Sequence, residues 1–409
     1  MIKKIQIWHA VLILYFIVLL LRFNELVSTI ELIFVIFQLL ISHLDNIANI
    51  FSTNVVDQLS SFAIFLGGII FVISFRKKID WLRKKCSLTL FTSNILMFIF
   101  LFAPILAPYS DNLQFNLPTA KRLAPLSGRY LVKIIDERST ESSKSQYQKV
   151  EETLFRENVT PDYYLLETPI SNQSSIGSVS TSVIFLLGTD EYGRDILSRI
   201  IYATRYSLLI GVIAIFITGF IGITLGFISG YFGKYVDILL NRIAEMFLAV
   251  PFIFLVILCV AFLGDSLLTV IIVLGVAGWM SLFKIVRSEV LKLKTRDHIV
   301  TSQMIGMTLS NQLVKEFLPL LLPSVLTNLI FQFAYIIIAE SSLSFLGITG
   351  NYSHSSLGGM IQQGFLNLNE AWWIILFPTL IITLIFYTVY NYANKLRNIG
   401  TNQISFTTN

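Results

Sequence analysis

The chain has 409 residues, 55% of them hydrophobic and only 13% charged, against about 25% charged in an ordinary soluble domain. That excess of apolar surface excludes a water-soluble globular protein and requires lipid as solvent for the long apolar runs. The net charge of +5 sits in short clusters (Arg76, Lys77 and Lys78; Arg83, Lys84 and Lys85; Lys292, Lys294 and Arg296; Lys395 and Arg397) without an aromatic-basic surface. The clusters mark cytoplasmic loops, and no nucleic acid is expected as a partner.

In chain order, the apolar runs near the ~20-residue spanning length are roughly 5–21, 26–42, 61–75, 87–107, 206–229, 243–263, 266–286, 318–346 and 371–391. The first begins after Lys3 and Lys4, lacks a small-residue cleavage site and is followed by Arg22 and Glu25. It reads as an uncleaved membrane segment. Residues 1–80 form an N-terminal membrane extension of two or three apolar helices. Arg76 to Lys78 put the end of 61–75 inside, and one span plus an interfacial helix before it keeps Lys3 and Lys4 inside as well.

From 81 to 409 the basic loops all fall on one side of a six-helix arrangement. The helix at 87–107 runs outward to Pro104 and Pro108, and the polar residues 108–187 form an enlarged external segment. The next three spans run in, out through a tight turn at Gly264 and Asp265, and in again. Residues 287–317, with Arg287, Lys292, Lys294, Arg296 and Lys315, form a cytoplasmic loop, and the last two spans go out and back. Trp279, Trp372 and Trp373 stand where a bilayer interface is expected. Gly219, Gly222, Gly226 and Gly230 make a small-residue stripe for close helix packing.

Three stretches carry functional information. In Leu187 to Arg199, Thr189 or Asp190 is placed to cap a helix, and Asp190 with Arg194, and Asp195 with Arg199, have i,i+4 spacing. The segment continues to Arg205-Tyr206-Ser207 as a short amphipathic helix at the outer surface, and a plain interfacial anchor is the alternative. In the cytoplasmic loop, residues 297–310 suit a short amphipathic helix, with Ile299, Met304, Ile305 and Leu309 apolar and Gly306 as an interruption. A long loop with an apolar face and no core of its own suits docking on another protein; a membrane-surface helix is the alternative. Third, Glu340 lies about 22 residues into its helix, near the outer surface at ~1.5 Å per residue. It is either a helix-end residue or part of an outer gate.

Other chemistry finds no support. No phosphate-binding loop is present: Gly233-Lys234 is followed by Tyr235, and Ile228 stands where a glycine is needed. His9, His43, His298 and His354 are scattered and form no metal cluster. Cys86 and Cys259 are no disulfide framework, and no nucleophile has a supporting base. No catalytic residue, cofactor or metal is expected.

The motifs together resemble the C-type permease subunits of bacterial dipeptide and oligopeptide ABC importers. The resemblance rests on Gly188, Thr189, Asp190, Gly193, Arg194, Asp195, Ser198 and Arg199 within Leu187–Arg199, similar to L-G-T-D-x-x-G-R-D-x-x-S-R. It rests also on Ala103-Pro104-Ile105-Leu106-Ala107-Pro108-Tyr109, on Glu340 to Gly347, which is similar to E-A-x-L-S-F-L-G, and on Ala371-Trp372-Trp373 with Phe377-Pro378. The loop resembles the importers' docking motif, E-A-A, three residues, Gly, nine residues, I-x-L-P. Gly306, Leu318 and Pro319 hold its spacing, whereas Val300, Thr301 and Ser302 replace the first triplet and Glu316 the isoleucine.

The resemblance covers roughly 87–409. It implies an all-α membrane protein of the inner membrane, with a six-helix core like a type I ABC importer permease. It implies a second homologous permease subunit, one or two ABC ATPase subunits and an extracytoplasmic peptide-binding protein as partners. The loop, including Asp297, would be the ATPase-coupling element. A same-family importer of nickel or an oligosaccharide is the near alternative, and a stand-alone channel or ion-driven carrier the distant one. A carrier would show paired intramembrane charges or matched broken helices.

Overall fold

The computed structural model describes residues 6–23, 26–27, 29–30, 33, 53–75, 87–111, 113–115, 117–134, 163–166, 178–348 and 355–406. The basic clusters at 76–78 and 83–85, most of the apolar run 26–42, and the residues Lys3, Lys4, Cys86, His43 and His354 lie outside the described residues, as does much of 108–187. Among the described residues five helices are long and apolar enough to cross a membrane, or six if one bent pair is a single span. The helical core agrees with the all-α expectation. The chain divides into two compact units, 1–206 with 353–382 and 207–352 with 383–409.

The first unit begins with helices α1 (Ile7–Leu21) and α2 (Thr53–Phe75), which pack on α3 (Leu88–Leu106). Tyr15, Phe65, Phe98 and Phe102 interlock there, with ring centroids 4.9 Å apart for Tyr15–Phe65 and 4.6 Å for Phe98–Phe102. Ser87 caps α3 by accepting from the Leu90 N–H at 3.4 Å. The helix leaves helical geometry at Phe102 (φ −118, ψ 19), just ahead of Pro104, whose ring crowds the preceding turn and offers no N–H. The apolar stretches of α1 and α2 are shorter than a full span.

The segment 108–187, expected to be external, contains a three-stranded antiparallel sheet that the sequence reading did not anticipate. Strands β1 (Ser127–Ile134), β2 (Tyr163–Leu166) and β3 (Ser178–Phe185) lie in the order β2-β1-β3. The register pairs Ser127 with Phe185 and Tyr130 with Leu166. Phe185, at the end of β3, is buried with Leu113, Phe115, Ala120 and Leu123, so the sheet returns the chain directly to Leu187.

The second unit holds most of the remaining spans. Helix α4 runs from Ile196 to Phe232 and supplies its first turns to the first unit and the rest to the second. It is followed by α5 (Lys234–Leu248), α6 (Phe252–Leu263), α7 (Leu267–Ala277) and α8 (Trp279–Leu293). After α9 (Asp297–Met304) comes α10 (Leu318–Phe345). The glycine stripe packs α4 on α8: Gly222 meets Leu282, Gly226 meets Val286 and Gly230 meets Val290. A methyl group on Gly226 would stand 2.7 Å from the Val286 Cβ, a distance only glycine tolerates. The single span expected at 243–263 is instead broken. Helices α5 and α6 meet at 86°, because Pro251 ends the first hydrogen-bond ladder and starts the second. Two tryptophans expected at an interface are interior: Trp279 and Trp373 are buried, and only Trp372 is exposed.

Candidate functional site

The signature Leu187–Arg199 lies wholly in the first unit. Up to Asp195 it is a tight loop, and the helix starts only at Ile196. The Asp190 N–H donates to Arg194 O at 3.0 Å and the Ile196 N–H to Gly188 O at 3.1 Å, closing the loop on itself. Gly188 (φ +82) and Gly193 (φ +72) take left-handed conformations, and a Cβ on Gly188 would lie 2.3 Å from Leu123 O. Only glycine fits both demands.

Inside the loop, each polar residue of the signature has a use. The Thr189 hydroxyl accepts from the Leu123 N–H at 2.8 Å and donates to Ala120 O. Asp190 is fully buried. Its Oδ1 accepts from the N–H groups of Tyr192 (2.8 Å) and Arg194 (2.9 Å). Its Oδ2 accepts from Arg194 Nε at 2.8 Å and from Arg199 Nη1. The expected Asp190–Arg194 pair is therefore present. The expected Asp195–Arg199 pair is replaced by Asp190–Arg199.

Asp195, not Thr189 or Asp190, caps the helix: its Oδ2 accepts from the Ser198 N–H at 2.8 Å and the Ser198 hydroxyl at 2.7 Å. The reason is that α4 begins only at Ile196, so the donors needing a cap are those just after 195. For the same reason 196–205 is the first part of a membrane helix and not a separate surface helix. The Ser198 hydroxyl also accepts from the Tyr109 N–H at 2.9 Å, tying the end of the Pro108-Tyr109 motif to the signature.

Burial pushes the Asp195 carboxyl above the usual carboxylate range, opposed by the Ser198 bonds and by the charge of Arg22. Burial, with the Asp195 charge, also raises the Tyr109 phenol. Arg22, which follows α1, donates from Nε and Nη2 to Leu106 O at 3.3 and 3.1 Å.

The partners that sequence reasoning missed come from the segment before the last span. Arg199 donates to Ser355 Oγ at 3.0 Å and Gln363 Oε1 at 2.9 Å. Asn367 donates to Glu191 Oε2 at 2.9 Å, and the Trp373 indole donates to Thr189 O at 3.3 Å. Helix α11 (Leu357–Leu366) and the start of α12 (Trp373–Phe406) thus pack on the signature. Trp373 was the available signal, because a buried indole needs an acceptor.

The loop assigned to the cytoplasm lies wholly in the second unit. Helix α9 ends at Met304, and Gly306 (φ +78) reverses the chain. A Cβ at Gly306 would meet nothing within 4 Å, so the glycine serves the backbone turn alone. Of the named residues, Ile299 and Ser302 are buried, Val300 is half-buried, and Asp297 and Thr301 are exposed. Ile299 enters a cluster with Leu293, Phe317 and Leu321, fixing α9 to α8 and α10. Met304 and Ile305 face away, 81% and 80% exposed.

Leu318 is half-buried and Pro319 exposed at the start of α10. The turn before them is widened: the Leu318 N–H bonds Leu313 O, five residues back, next to a proline without an N–H of its own. Behind the loop, Tyr231 receives Lys294 Nζ on its carbonyl and donates its hydroxyl to Gln312 Oε1 at 3.0 Å. Asp237 accepts a two-pronged pair from Arg287.

Glu340 is not at an open helix end. It is 2% exposed and accepts from the hydroxyls of Ser207 (2.9 Å), Ser341 (3.4 Å) and Ser344 (3.2 Å). Its serine partners join α10 to α4 within the second unit.

Comparison with known proteins places this geometry. Residues 222–398 match the family model for the binding-protein-dependent transport system inner membrane component. The chain is 35% identical over 201 residues to the dipeptide transport system permease protein DppC of Bacillus subtilis, a match covering 49% of this chain and 63% of that one. It is 32% identical over 198 residues to DppC of Haemophilus influenzae, covering 48% of this chain and 67% of that one. The chain thus spans less than two thirds of the length of its Bacillus relative. A chain of the inward-facing MetNI methionine ABC transporter is 17% identical with a TM-score of 0.40, covering 48% of this chain and 96% of that one, a likeness too slight to argue from. With the Haemophilus permease matched over two thirds of its length and the family model matched at 222–398, this chain belongs to the family of binding-protein-dependent transport system inner membrane components.

Proposed function

We propose that this chain is a transmembrane permease subunit of an ATP-driven importer of di- or oligopeptides. Residues 81–409 are the permease domain and 1–80 the membrane extension. The observation that carries the reading is the turn after α9. Two adjacent apolar side chains, Met304 and Ile305, stand about four-fifths exposed at a backbone reversal, while the same segment is fastened to two membrane helices through Ile299 and Phe317. An exposed apolar knob on a rigid mount suits a groove on a partner protein.

The partner is an ABC ATPase subunit, one or two per assembly, and ATP hydrolysis takes place there. A displacement of α9 passes through Ile299 to α8 and α10, and through Lys294, Tyr231 and Gln312 to the end of α4. The spans then alternate access between the two membrane faces. A second homologous permease completes the passage, lipid surrounds it, and an extracytoplasmic binding protein delivers the peptide to the outer face. The serine-held Glu340 orders the outer half of α10 and acts there as a gate element. This chain supplies coupling and part of the passage, and no chemistry of its own.

The test is affinity purification of the tagged chain in mild detergent with mass spectrometry of its companions. The expected companions are a second permease, one or two ATPases and a peptide-binding protein. Recovery of an intact chain by itself contradicts the reading.

A further inference from the structure

The bend between α5 and α6 encloses a feature that the coupling account does not use. A cavity of about 360 Å³ lies beneath it, walled by Phe247, Phe252, Leu255 and Met280 and carrying Ser281, Gln332 and Tyr335 at its polar side. That volume is at the low end of ligand pockets, which run from about 300 to 1,000 Å³, and it suits one or two side chains. Phe252 and Tyr335 meet with ring centroids 4.9 Å apart, giving the wall an aromatic edge.

The polar side carries groups that hydrocarbon solvates poorly. Ser281 and Lys284, three residues apart on the span Leu267–Leu293, are both exposed, and Tyr335 on α10 is 46% exposed. Hydrocarbon offers such groups no hydrogen bonds, so polar side chains and broken helices at membrane depth line protein or a watered path. The Gln332 amide is fixed at the rim: its Nε2 donates to Gly278 O at 3.0 Å and its Oε1 accepts from the Ser281 hydroxyl at 3.0 Å. A glutamine amide carries two N–H donors and two lone pairs. One N–H and one lone pair therefore remain on an amide already held at both ends. Either can bond the C=O or the N–H of a peptide chain lying along the rim.

We propose that this cavity is a peptide-contact site of the permease, taking an apolar side chain of the passing peptide while Gln332 bonds the adjoining peptide group. The inference rests on the importer reading above and adds to it a place where this chain itself touches the cargo. Apolar side chains of the peptide are favoured by the Phe247, Phe252, Leu255 and Met280 wall. Gln332 reads the backbone, which every peptide shares, so the site accepts many sequences and ranks them by side-chain bulk.

The test uses the assembled transporter in proteoliposomes and two tripeptides that differ only in a central Ala or Phe. Leu255→Trp, which fills the cavity, is expected to lower Phe-peptide uptake about tenfold more than Ala-peptide uptake. Gln332→Ala is expected to lower uptake of both about tenfold, the worth of one good hydrogen bond, with peptide affinity of the isolated binding protein unchanged. In the unaltered transporter, a tripeptide with a photoreactive benzophenone side chain is expected to cross-link within 247–255 or at Met280. Equal loss of both peptides in Leu255→Trp, or cross-links confined to other segments, overturns the site. No import of either peptide by the unaltered transporter would instead overturn the importer reading itself.

Discussion

The loop at Leu187–Arg199 and the turn after α9 each resemble an importer motif, yet they are built in opposite ways. The signature loop is polar and closed. Asp190 and Arg199 are buried, and their partners are all supplied by this chain. The turn after α9 is apolar and open, with Met304 and Ile305 exposed and open space where a Cβ on Gly306 would lie. A motif whose bonds are complete within one chain is there to hold that chain's shape. A motif that leaves apolar atoms outside the membrane spans uncovered is there for a partner. The difference separates folding residues from contact residues.

The largest effect is expected where the closed network is cut. Asp190→Ala leaves Arg199 buried without its carboxylate, and breaking such a pair costs about 3–5 kcal/mol. The purified protein should unfold many degrees earlier, and its yield in membranes should fall. A variant of normal thermal stability would remove the distinction drawn above.

The open turn should respond in the opposite sense. Met304→Ser with Ile305→Ser removes two apolar side chains worth about 1.5–3 kcal/mol each when buried. The double variant is expected to retain wild-type thermal stability and lose co-purifying ATPase. Undiminished recovery of the ATPase would place the contact elsewhere. Gly306→Val forces a β-branched residue into a left-handed conformation, at about 1–2 kcal/mol. Membrane insertion should survive and peptide uptake should be abolished; normal uptake would remove the turn from the mechanism.

The smallest effect separates two residues of the signature loop itself. Asp195 titrates above the usual carboxylate range because of burial. A folded-state value raised above the unfolded one means a contribution that is fully present below the unfolded value and lost as pH rises through the folded one. Asp195→Asn keeps an acceptor for the Ser198 N–H and cannot ionise. It should cost less than about 1 kcal/mol and flatten the pH dependence of stability above the ordinary carboxylate range. Denaturation followed from pH 4 to 8 measures this, and an unchanged pH slope would show that Asp195 is not its source.

The sequence carries the helical core because lipid leaves few options: apolar runs of spanning length must be helices. The glycine stripe was equally readable, since Gly222, Gly226 and Gly230 recur at four-residue steps and find α8. The break at Pro251 was harder, because the run from 243 to 263 is apolar throughout and hydropathy does not register a change of direction. The sheet at 127–185 was missed because its strands lie within a long polar segment. In the signature, the spacing of Asp195 and Arg199 suggested a pair that the real helix start at Ile196 rules out. Long-range partners such as Gln363 and Ser355 carry no local signal, so the completeness of the signature network emerged only from the fold.

The central claim is that the turn after α9 meets an ATPase. A photoreactive benzoylphenylalanine placed at position 304 and irradiated in native membranes tests it most directly. The account predicts one dominant adduct, whose peptides by mass spectrometry come from an ABC ATPase subunit. Adducts to lipid alone, or to this chain's own helices, would contradict it.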